Sequence, residues 1–297
     1  MPRETVDQIR ISYQGKIAIE DFFLLLSHAT LKSKEFLLAH PEYEIGAHHS
    51  RKARSLFERR KKHEPIAYIR GEKEFFSLPF MVTGSTLIPR PETELLVEEV
   101  IRHATSSAQL LPRKKSIILD VGTGSGAIII SLARTLRHLS LYEFHATDIS
   151  QAAIDVAKRN AKRNSVETLI HFHKGSLLDP VEDHINRADF AIFAANLPYL
   201  SEALYEASAD DVRLYEPKEA LLSGRDGLDH YRLLFRHIKK IHASFPKKPL
   251  CCIVEISPEQ HESLEMVCRE TFPDATSATL RDLSGRNRIF SFTAGQK

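Results

Sequence analysis

Few cysteines, little net charge and the lack of a long apolar run are the first features of this 297-residue sequence. Two of its three cysteines, Cys251 and Cys252, are adjacent in an apolar run, where neither a disulfide framework nor a metal site with normal ligand spacing can be built. The formal net charge of +2 is too small to make nucleic acid the default partner. No apolar stretch approaches the roughly 20 residues that span a bilayer, and the first residues lack the apolar core of a secretory signal. We therefore expect a soluble, cytoplasmic protein in a reducing compartment.

The composition and length are those of a globular protein with two domains. Hydrophobic residues make up 42% of the chain and charged residues 27%, which is ordinary globular usage, and a single domain usually has roughly 100–200 residues. Near the N-terminus, Ile19, Phe22, Phe23 and Leu26 recur at the spacing of one helix face, which must pack on something. We predict a helical N-terminal domain over residues 1–75.

The period of the apolar residues then changes. Phe76, Leu78, Phe80 and Val82 alternate with other residues, which predicts a hairpin linker over residues 76–95. Beyond it, β-rich apolar runs alternate with helical patterns, which predicts an α/β domain with a mostly parallel sheet over residues 96–297. The predicted strands cover residues 117–121, 143–147, 169–173, 188–194 and 250–256, the predicted helices cover 126–136, 151–163, 228–241 and 259–271, and a terminal antiparallel hairpin is predicted over 277–292.

A glycine-rich turn lies between the first strand and the first helix of this α/β pattern. The turn consists of three glycines and the two residues between them: Gly122, Thr123, Gly124, Ser125 and Gly126. Such a turn brings the backbone close to a ligand, and Asp148, at the end of the next strand, can accept hydrogen bonds from both ribose hydroxyls of a nucleoside. The Gly-x-Gly-x-Gly spacing and the lack of a basic residue in the loop favour S-adenosylmethionine over NAD. Thr123 and Ser125 either satisfy helix-terminal amides or touch the ligand.

The fourth predicted strand ends in Asn196, Leu197, Pro198 and Tyr199, at the sheet edge where open α/β folds bind ligands. An asparagine amide oxygen and a neighbouring backbone carbonyl can accept both protons of a planar NH2 group and aim its nitrogen at an electrophilic methyl group. Pro198 restricts Leu197 to extended conformations, and Tyr199 can stack on the flat group. Alone, such a segment is more often a turn. Because a glycine loop and an aspartate at the end of the next strand precede this segment, the segment here predicts methyl transfer.

The Asn-Leu-Pro-Tyr segment resembles the Asn-Pro-Pro-Tyr signature of amino methyltransferases. Together with it, five segments resemble the release-factor glutamine methyltransferases, the HemK/PrmC family: EPIAYIRGEKEFFSLPF, LIPRPETELLVEE, ILDVGTGSGAIIISLA, VRLYEPKEALLSGRDGLDHYR and DLSGRNRIF. The resemblance implies a Rossmann-like S-adenosylmethionine-dependent methyltransferase sheet with a small all-helical N-terminal domain that helps to dock the substrate. It implies S-adenosylmethionine as donor and, as acceptor, the glutamine side chain of the Gly-Gly-Gln motif in class I peptide-chain release factors. We expect a monomer that needs neither a membrane nor nucleic acid.

The resemblance also assigns residues. It implies that the loop of residues 122–126 and Asp148 bind the cofactor, that Asn196 lies at the junction of cofactor and acceptor, and that residues 197–199 surround the glutamine amide. The chain departs from the family pattern where Leu197 replaces the usual proline, although the contact expected there is a backbone carbonyl.

A second departure follows the third predicted strand of the α/β domain. Ser176 stands where the family usually has an acidic residue. A serine can still hydrogen-bond the adenine amino group, and Leu177 can cover the ring, so we expect weaker cofactor binding at most.

Three alternative functions stay open. An adenine-N6 methyltransferase of DNA or RNA uses the same Asn-x-Pro-Tyr logic, but the near-neutral charge and the lack of an obvious base-reading module oppose it. A binding protein with the cofactor fold but without catalysis would explain Leu197 and Ser176. An NAD oxidoreductase is the third.

Two other features of the sequence have both a functional and an ordinary explanation. In the IPRPETE segment, Pro89, Glu92 or Thr93 could line the cofactor cleft, or the segment could simply start a helix with Pro91 in its first turn. The histidines at 48–49 and at 171 and 173 lack the acidic or cysteine company of a metal site, so we expect no metal.

Overall fold

The structure is a computed structural model that describes residues 3–110 and 115–295. The strands are β1 (Glu4–Thr5), β2 (Glu44–Ile45), β3 (Glu72–Phe75), β4 (Leu78–Met81), β5 (Ser116–Val121), β6 (Tyr142–Asp148), β7 (Ile170–Lys174), β8 (Phe190–Ala195), β9 (Leu250–Glu255), β10 (Thr276–Arg281) and β11 (Asn287–Ala294). The helices are α1 (Val6–Tyr13), α2 (Ile19–Thr30), α3 (Lys34–Ala39), α4 (Ala47–Arg60), α5 (Ile66–Arg70), α6 (Glu94–Leu110), α7 (Ala127–Leu136), α8 (Gln151–Arg163), α9 (Glu182–Arg187), α10 (Glu202–Glu206), α11 (Asp210–Tyr215), α12 (Asp229–Ser244) and α13 (His261–Thr271). Single 3-10 turns occur at Pro91–Thr93, Asp179–Val181, Lys218–Ala220 and Pro258–Gln260.

The chain divides into two compact units. The first unit contains Met1–Glu72 and Ala209–Tyr215, and the second contains Lys73–Ser208 and Glu216–Lys297. This division differs from the predicted boundaries, which placed residues 209–215 with the catalytic domain and the hairpin in a separate linker. Helix α11 belongs to the first unit because Tyr215 OH donates to the Lys62 carbonyl at 2.6 Å and Asp211 lies 3.9 Å from Arg60.

The first unit is a small helical domain around one apolar core. Phe22, Phe23, Leu26 and Phe57 are buried in it, as the helical spacing predicts, and Phe22 stacks on Phe57 with ring centroids 4.9 Å apart. Ile19, which the same spacing placed on the packing face, is instead 46% exposed because it is the first residue of α2. The only β-structure among the described residues of this unit besides the start of β3 is the short antiparallel pair of β1 and β2.

The predicted hairpin consists of β3 and β4, and it begins earlier than the alternation of apolar residues suggested. Phe76 and Ser77 form its turn with positive φ values of 50° and 56°, and the Phe76 amide donates to Glu94 Oε1 at 2.9 Å. Phe75 and Phe80 point into the core of the second unit. At the end of β4, Met81 exchanges two hydrogen bonds with the buried side chain of Asn160.

The α/β prediction is confirmed by a seven-stranded sheet in the order β10-β11-β9-β8-β5-β6-β7. Strands β5 to β9 pair in parallel, whereas β10 and β11 form the predicted terminal antiparallel hairpin. Each predicted strand differs from the observed one by one or two residues at its ends. The last predicted helix starts later than expected, because Pro258–Gln260 forms a 3-10 turn before α13.

Both faces of the sheet are covered by apolar side chains, which is why its inner strands are apolar throughout. Along β5, Ile118 joins the core under α6 and α7, while Ile117 and Leu119 join the core under α12. The chain runs from β5 outward to β7 and then returns to β8 on the other side of β5, so the strand order reverses at β5. Ligands bind at such a reversal, beyond the carboxyl ends of the strands. No helix in the described part of the chain is long and apolar enough to cross a bilayer.

Candidate active site

The glycine loop connects β5 to α7 through three glycines with positive φ, a conformation that glycine adopts without strain. Gly122, Gly124 and Gly126 have φ values of 75°, 53° and 82°, a region that side chains rarely adopt. A Cβ at Gly126 would lie 2.8 Å from Ile130 Cδ1 and 3.1 Å from Ala157 Cβ, so glycine is needed there for close helix packing. A Cβ at Gly124 would meet nothing within 4 Å. The loop therefore presents open space in front of Gly124.

Asp148 ends β6 beside this loop. Its Oδ2 accepts a hydrogen bond from the Gly124 amide at 2.8 Å, and its Oδ1 accepts one from the Ser150 amide at 2.8 Å. Burial raises the pKa of this carboxyl above its ordinary value, and the two amide bonds oppose that rise. The predicted pair of glycine loop and aspartate is thus brought into direct contact.

Beneath the loop lies a carboxylate that the sequence analysis did not single out. Asp120 is completely buried in β5, and its Oδ2 accepts hydrogen bonds from Thr123 Oγ1 at 2.7 Å and from the Ile129 amide at 3.3 Å. Its Oδ1 has no hydrogen-bond partner among the described residues. Burial raises the pKa of Asp120 to about 7. The Thr123 hydroxyl therefore donates to Asp120, a role outside the two that were considered for it.

The loop is also joined to the hairpin through a buried asparagine. Asn160 Nδ2 donates to the Ser125 carbonyl at 2.9 Å, and the same side chain bonds both backbone groups of Met81. Ser125 itself is buried. Position 160 lies within the predicted helix of residues 151–163, and an asparagine on the buried face of an amphipathic helix was the available signal.

Asn196 follows β8 and is held by two oxygen acceptors. Its Nδ2 donates to Glu255 Oε2 at 2.9 Å and to Thr93 Oγ1 at 3.1 Å, while Thr93 Oγ1 donates to Glu255 Oε2 at 2.6 Å. Because both hydrogen bonds are donated by the amide nitrogen of Asn196, its Oδ1 stays available as an acceptor.

Glu255, at the end of β9, is the centre of this cluster and was missed by the sequence analysis. It is 1% exposed, and its Oε1 accepts a third hydrogen bond from Tyr199 OH at 3.0 Å. Burial raises the pKa of Glu255, while the bonds from Thr93 and Tyr199 oppose the rise. Burial and the nearby Glu255 raise the pKa of Tyr199. A carboxylate ending an otherwise apolar strand was the signal for Glu255.

The backbone of Tyr199 is held from the opposite side. Gln260 Nε2 donates to the Tyr199 carbonyl at 2.7 Å and to the Asp226 carbonyl at 3.2 Å. A Cβ at Gly227, where φ is 79°, would lie only 2.2 Å from that same Tyr199 oxygen. The close approach requires glycine at 227.

Leu197 is buried, and Pro198 is half-buried next to it. The Leu197 side chain packs against Gly122. A Cβ added at Gly122 would lie only 2.8 Å from Leu197 Cδ2. Its carbonyl lies 3.5 Å from the hydroxyl of Tyr231, which also donates over a much shorter distance to the Glu255 carbonyl. A hydroxyl has one proton to donate. The Leu197 carbonyl therefore keeps its capacity to accept.

Ser176 and Leu177 follow β7 at the same edge of the sheet. Ser176 is exposed, and Leu177 adopts a left-handed conformation with φ of 46° while packing against the core under α12. The preceding Gly175 amide donates to the Asp148 carbonyl at 3.0 Å, which ties this turn to the end of β6.

The IPRPETE segment starts a helix, which is one of the two roles considered for it. Pro91 opens a 3-10 turn that continues into α6, and Glu92 is exposed. Thr93 instead joins Asn196 and Glu255, as described above. The Arg90 guanidinium pairs with the buried Glu216, which also accepts the Ile88 amide at 3.1 Å.

Two family models match the chain. The PrmC N-terminal domain matches residues 15–71, and a methyltransferase domain matches residues 112–267, more than half of the chain.

Curated relatives cover nearly all of it. The release factor glutamine methyltransferase of Haemophilus influenzae is 34% identical over 275 residues, which cover 91% of this chain and 89% of the relative. The enzyme of the same name from Bacillus anthracis is 32% identical over 270 residues, covering 90% and 89%.

A solved structure agrees with the fold. The hMettl16 catalytic domain in complex with MAT2A 3'UTR hairpin 6 superposes with a TM-score of 0.51 at 18% identity, covering 75% of this chain and 77% of that one. At this identity the likeness supports the methyltransferase fold alone.

Proposed function

The chain belongs to the release factor glutamine methyltransferase family, and we propose that it transfers a methyl group from S-adenosylmethionine to the glutamine amide nitrogen of the Gly-Gly-Gln motif in class I peptide-chain release factors. One observation carries the proposal for the site. Glu255 and Thr93 both accept a hydrogen bond from the amide nitrogen of Asn196. The amide oxygen of Asn196 is therefore left to accept a hydrogen bond from a planar NH2 group.

The residues around the glycine loop fit the cofactor. The space in front of Gly124 is open, the Asp148 carboxylate reaches the loop, and Asp120 has a buried oxygen without a partner among the described residues. When bound, S-adenosylmethionine supplies an electrophilic methyl group on a positively charged sulfur. We assign the nucleoside to residues 122–126 and Asp148. We assign the adenine to Ser176 and Leu177.

The acceptor amide is held by residues of the Asn-Leu-Pro-Tyr segment. An amide nitrogen is a poor nucleophile because its lone pair is delocalised into the carbonyl. Asn196 Oδ1 and the Leu197 carbonyl accept its two protons and fix its orientation, which can contribute several of the roughly 7–11 kcal/mol available from positioning. Both bonds strengthen as positive charge develops on the nitrogen, so they stabilise the transition state more than the ground state. Tyr199 forms a wall beside the flat group, and Pro198 keeps Leu197 extended.

Glu255 acts through Asn196 and is a positioning residue. Three donors surround its carboxylate, which matches the acceptor capacity of the ionised form. An ionised Glu255 accepts from Asn196 Nδ2 and so fixes which of the two amide atoms, nitrogen or oxygen, faces the acceptor. It also places negative charge behind an acceptor group that must stabilise a developing cation.

The proposal includes a monomer that acts in the cytoplasm without nucleic acid. The net charge of +2 and three free, buried cysteines support it. Light scattering of the purified chain, with and without a release factor, measures the oligomeric state.

Transfer of labelled methyl from S-adenosylmethionine to a purified class I release factor tests the function. We expect label on the intact factor and none on a factor whose Gly-Gly-Gln glutamine is replaced by alanine. Mapping the label to that peptide by mass spectrometry identifies the acceptor nitrogen.

Three results would contradict the proposal. Equal labelling of the two factors would place the acceptor elsewhere. No labelling of either factor, with S-adenosylmethionine binding confirmed by calorimetry, would favour a fold that has lost catalysis. Label on nucleic acid in a parallel reaction would favour the adenine methyltransferase.

A further inference from the structure

Four histidines of the second unit meet at the outer edge of the sheet. His145 lies on β6, His171 and His173 lie on the edge strand β7, and His184 lies on α9. The ring centroid of His145 is 4.9 Å from that of His171, 5.2 Å from that of His173 and 4.5 Å from that of His184. The sequence predicts no metal site here, because His171 and His173 lack acidic or cysteine residues at ligand spacing.

Three of these rings bring nitrogens together. One ring nitrogen from each of His145, His173 and His184 lies within 4.8 Å of those from the other two. His145 is completely buried, whereas His173 and His184 are half-buried. The arrangement thus combines a deep ligand with two that can be reached from solvent.

The buried ring carries an atom that the protein leaves without a hydrogen bond. His145 Nδ1 is hydrogen-bonded to His173 Nε2 at 3.0 Å, but His145 Nε2 has no hydrogen-bond partner among the described residues. The carboxylate of Glu143, which is exposed, lies 3.6 Å from that nitrogen. Buried polar atoms are nearly always partnered in folded proteins, so an unpartnered one calls for an explanation.

We propose that His145, His173 and His184 bind a divalent transition-metal ion of the class that prefers imidazole, such as Zn²⁺. Imidazole nitrogens suit zinc, copper, iron and nickel. Zinc–nitrogen bonds of about 2.0–2.1 Å place tetrahedral ligand atoms about 3.3 Å apart. The ring nitrogens of the three histidines already lie within 4.8 Å of one another. Water, Glu143 or His171 would complete the coordination. Such an ion would cross-link β6, β7 and α9.

The chemistry of the rings agrees with this assignment. Burial, together with the neighbouring histidines, lowers the pKa of His145 to about 3, so its ring is neutral and offers a lone pair. The groups that face it are His171, His173 and His184 from β7 and α9, and Glu143 from its own strand.

A second group of potential ligands provides a control. Asp179, Glu182 and His237 also place ligand atoms within 4.8 Å of one another. There, however, His237 Nε2 already bonds Glu182 Oε1 at 2.7 Å, and Lys240 lies 3.3 Å from the same oxygen. These contacts form an ordinary ion-pair group, which explains the cluster without a metal.

Titration of the tag-free, chelator-treated full-length protein with Co²⁺ and Zn²⁺ tests the proposal. We expect one equivalent of Co²⁺ to give the intense visible absorption of a four-coordinate ion, and Zn²⁺ to displace it. His173→Gln and His184→Gln should each weaken Zn²⁺ binding at least about tenfold and abolish that absorption, while His237→Gln should change neither. Circular dichroism confirms that each variant is folded.

Thermal unfolding gives an independent readout. Zn²⁺ should raise the unfolding temperature of the wild-type protein and of His237→Gln, but not of His184→Gln, because an ion that binds only the folded state stabilises it. Binding that is equal in His184→Gln and wild type, or that is lost in His237→Gln, would overturn the proposal. So would the absence of any one-equivalent binding to the wild type. None of these measurements depends on methyl transfer.

Discussion

The candidate active site has two sides that are built by different means. On the loop side, formed by residues 120–126 and Asp148, backbone amides of a glycine turn make the decisive contacts. On the amide side, formed by Thr93, Asn196, Tyr199 and Glu255, side chains hold one another. The loop side thus depends on local conformation, whereas the amide side depends on a hydrogen-bonded cluster.

The sequence separation of the contacts differs accordingly. On the loop side, Gly124 and Asp148 are 24 positions apart. On the amide side, Asn196 is 59 positions from Glu255 and 103 from Thr93, and Thr93 is 162 positions from Glu255. A substitution in the amide-side cluster can therefore lower turnover while leaving cofactor affinity unchanged. Variants of each side can thus separate turnover from cofactor binding.

The largest effect is expected on the amide side. Asn196→Ala should lower turnover on the order of 10²–10³-fold, because it removes an acceptor that acts on the developing charge. Its affinity for S-adenosylmethionine should stay within about twofold of wild type. Steady-state methyl transfer and calorimetry measure the two quantities. Asn186→Ala, at the end of α9 near the amino end of β8, is the matched control with expected normal turnover. Near-normal turnover of Asn196→Ala would remove the assigned role.

Glu255→Gln should lower turnover by about 10–100-fold, the value of a hydrogen bond to a charged group. A glutamine offers one acceptor oxygen where three donors now share two. The wild-type turnover should also fall on the acid side as Glu255 takes up a proton, above the ordinary pKa of glutamate because burial raises its pKa. Glu255→Gln should lack this acid limb.

The exposed Glu259 provides the comparison, since Glu259→Gln should keep both turnover and the acid limb. An acid limb of unchanged position in Glu255→Gln would show that another group titrates. A loss confined to KM would show that Glu255 serves binding and not orientation.

A smaller effect is expected on the loop side. Gly124→Ala places a Cβ in the open space in front of the loop and should weaken S-adenosylmethionine binding about tenfold or more. Gly285→Ala is the control, since Gly285 also has a positive φ and nothing within 4 Å of an added Cβ, but lies in the β10–β11 turn. Calorimetry measures both. Equal, normal affinities in the two variants would contradict the placement of the ligand in the space in front of Gly124.

The smallest effect concerns stability. The pKa of Asp120 is raised to about 7, so the folded protein keeps a proton that the unfolded chain releases near pH 4. The free energy of unfolding should therefore fall as the pH rises from about 4 to 7, by on the order of 1–4 kcal/mol. Asp120→Asn should be stabilised relative to wild type over this range. Urea unfolding at pH 5, 6, 7 and 8 checks this, and parallel curves for the two proteins would refute it.

The elements of the fold followed from periodicity, with errors at their ends. Strands β5 to β9 and helices α7 and α8 were predicted within two residues, because buried parallel strands and amphipathic helices have strong local patterns. Two expectations differed for physical reasons. Ile19 is exposed because the first residue of a helix has few neighbours, and α11 joins the first unit through Arg60 and Lys62, far away in the chain.

The sequence by itself determined the glycine turn with Asp148, the Asn-Leu-Pro-Tyr segment and the family. Glycines at fixed spacing impose a local conformation, so their effect can be predicted without knowing what else is near. Only the tertiary structure decided that Thr93 and Glu255 hold Asn196, that Asp120 is buried beneath the loop, and that four histidines meet at the edge of the sheet. The hydrogen-bond partners and the pKa of a side chain depend on which distant elements pack against it, and that packing is set by the fold as a whole.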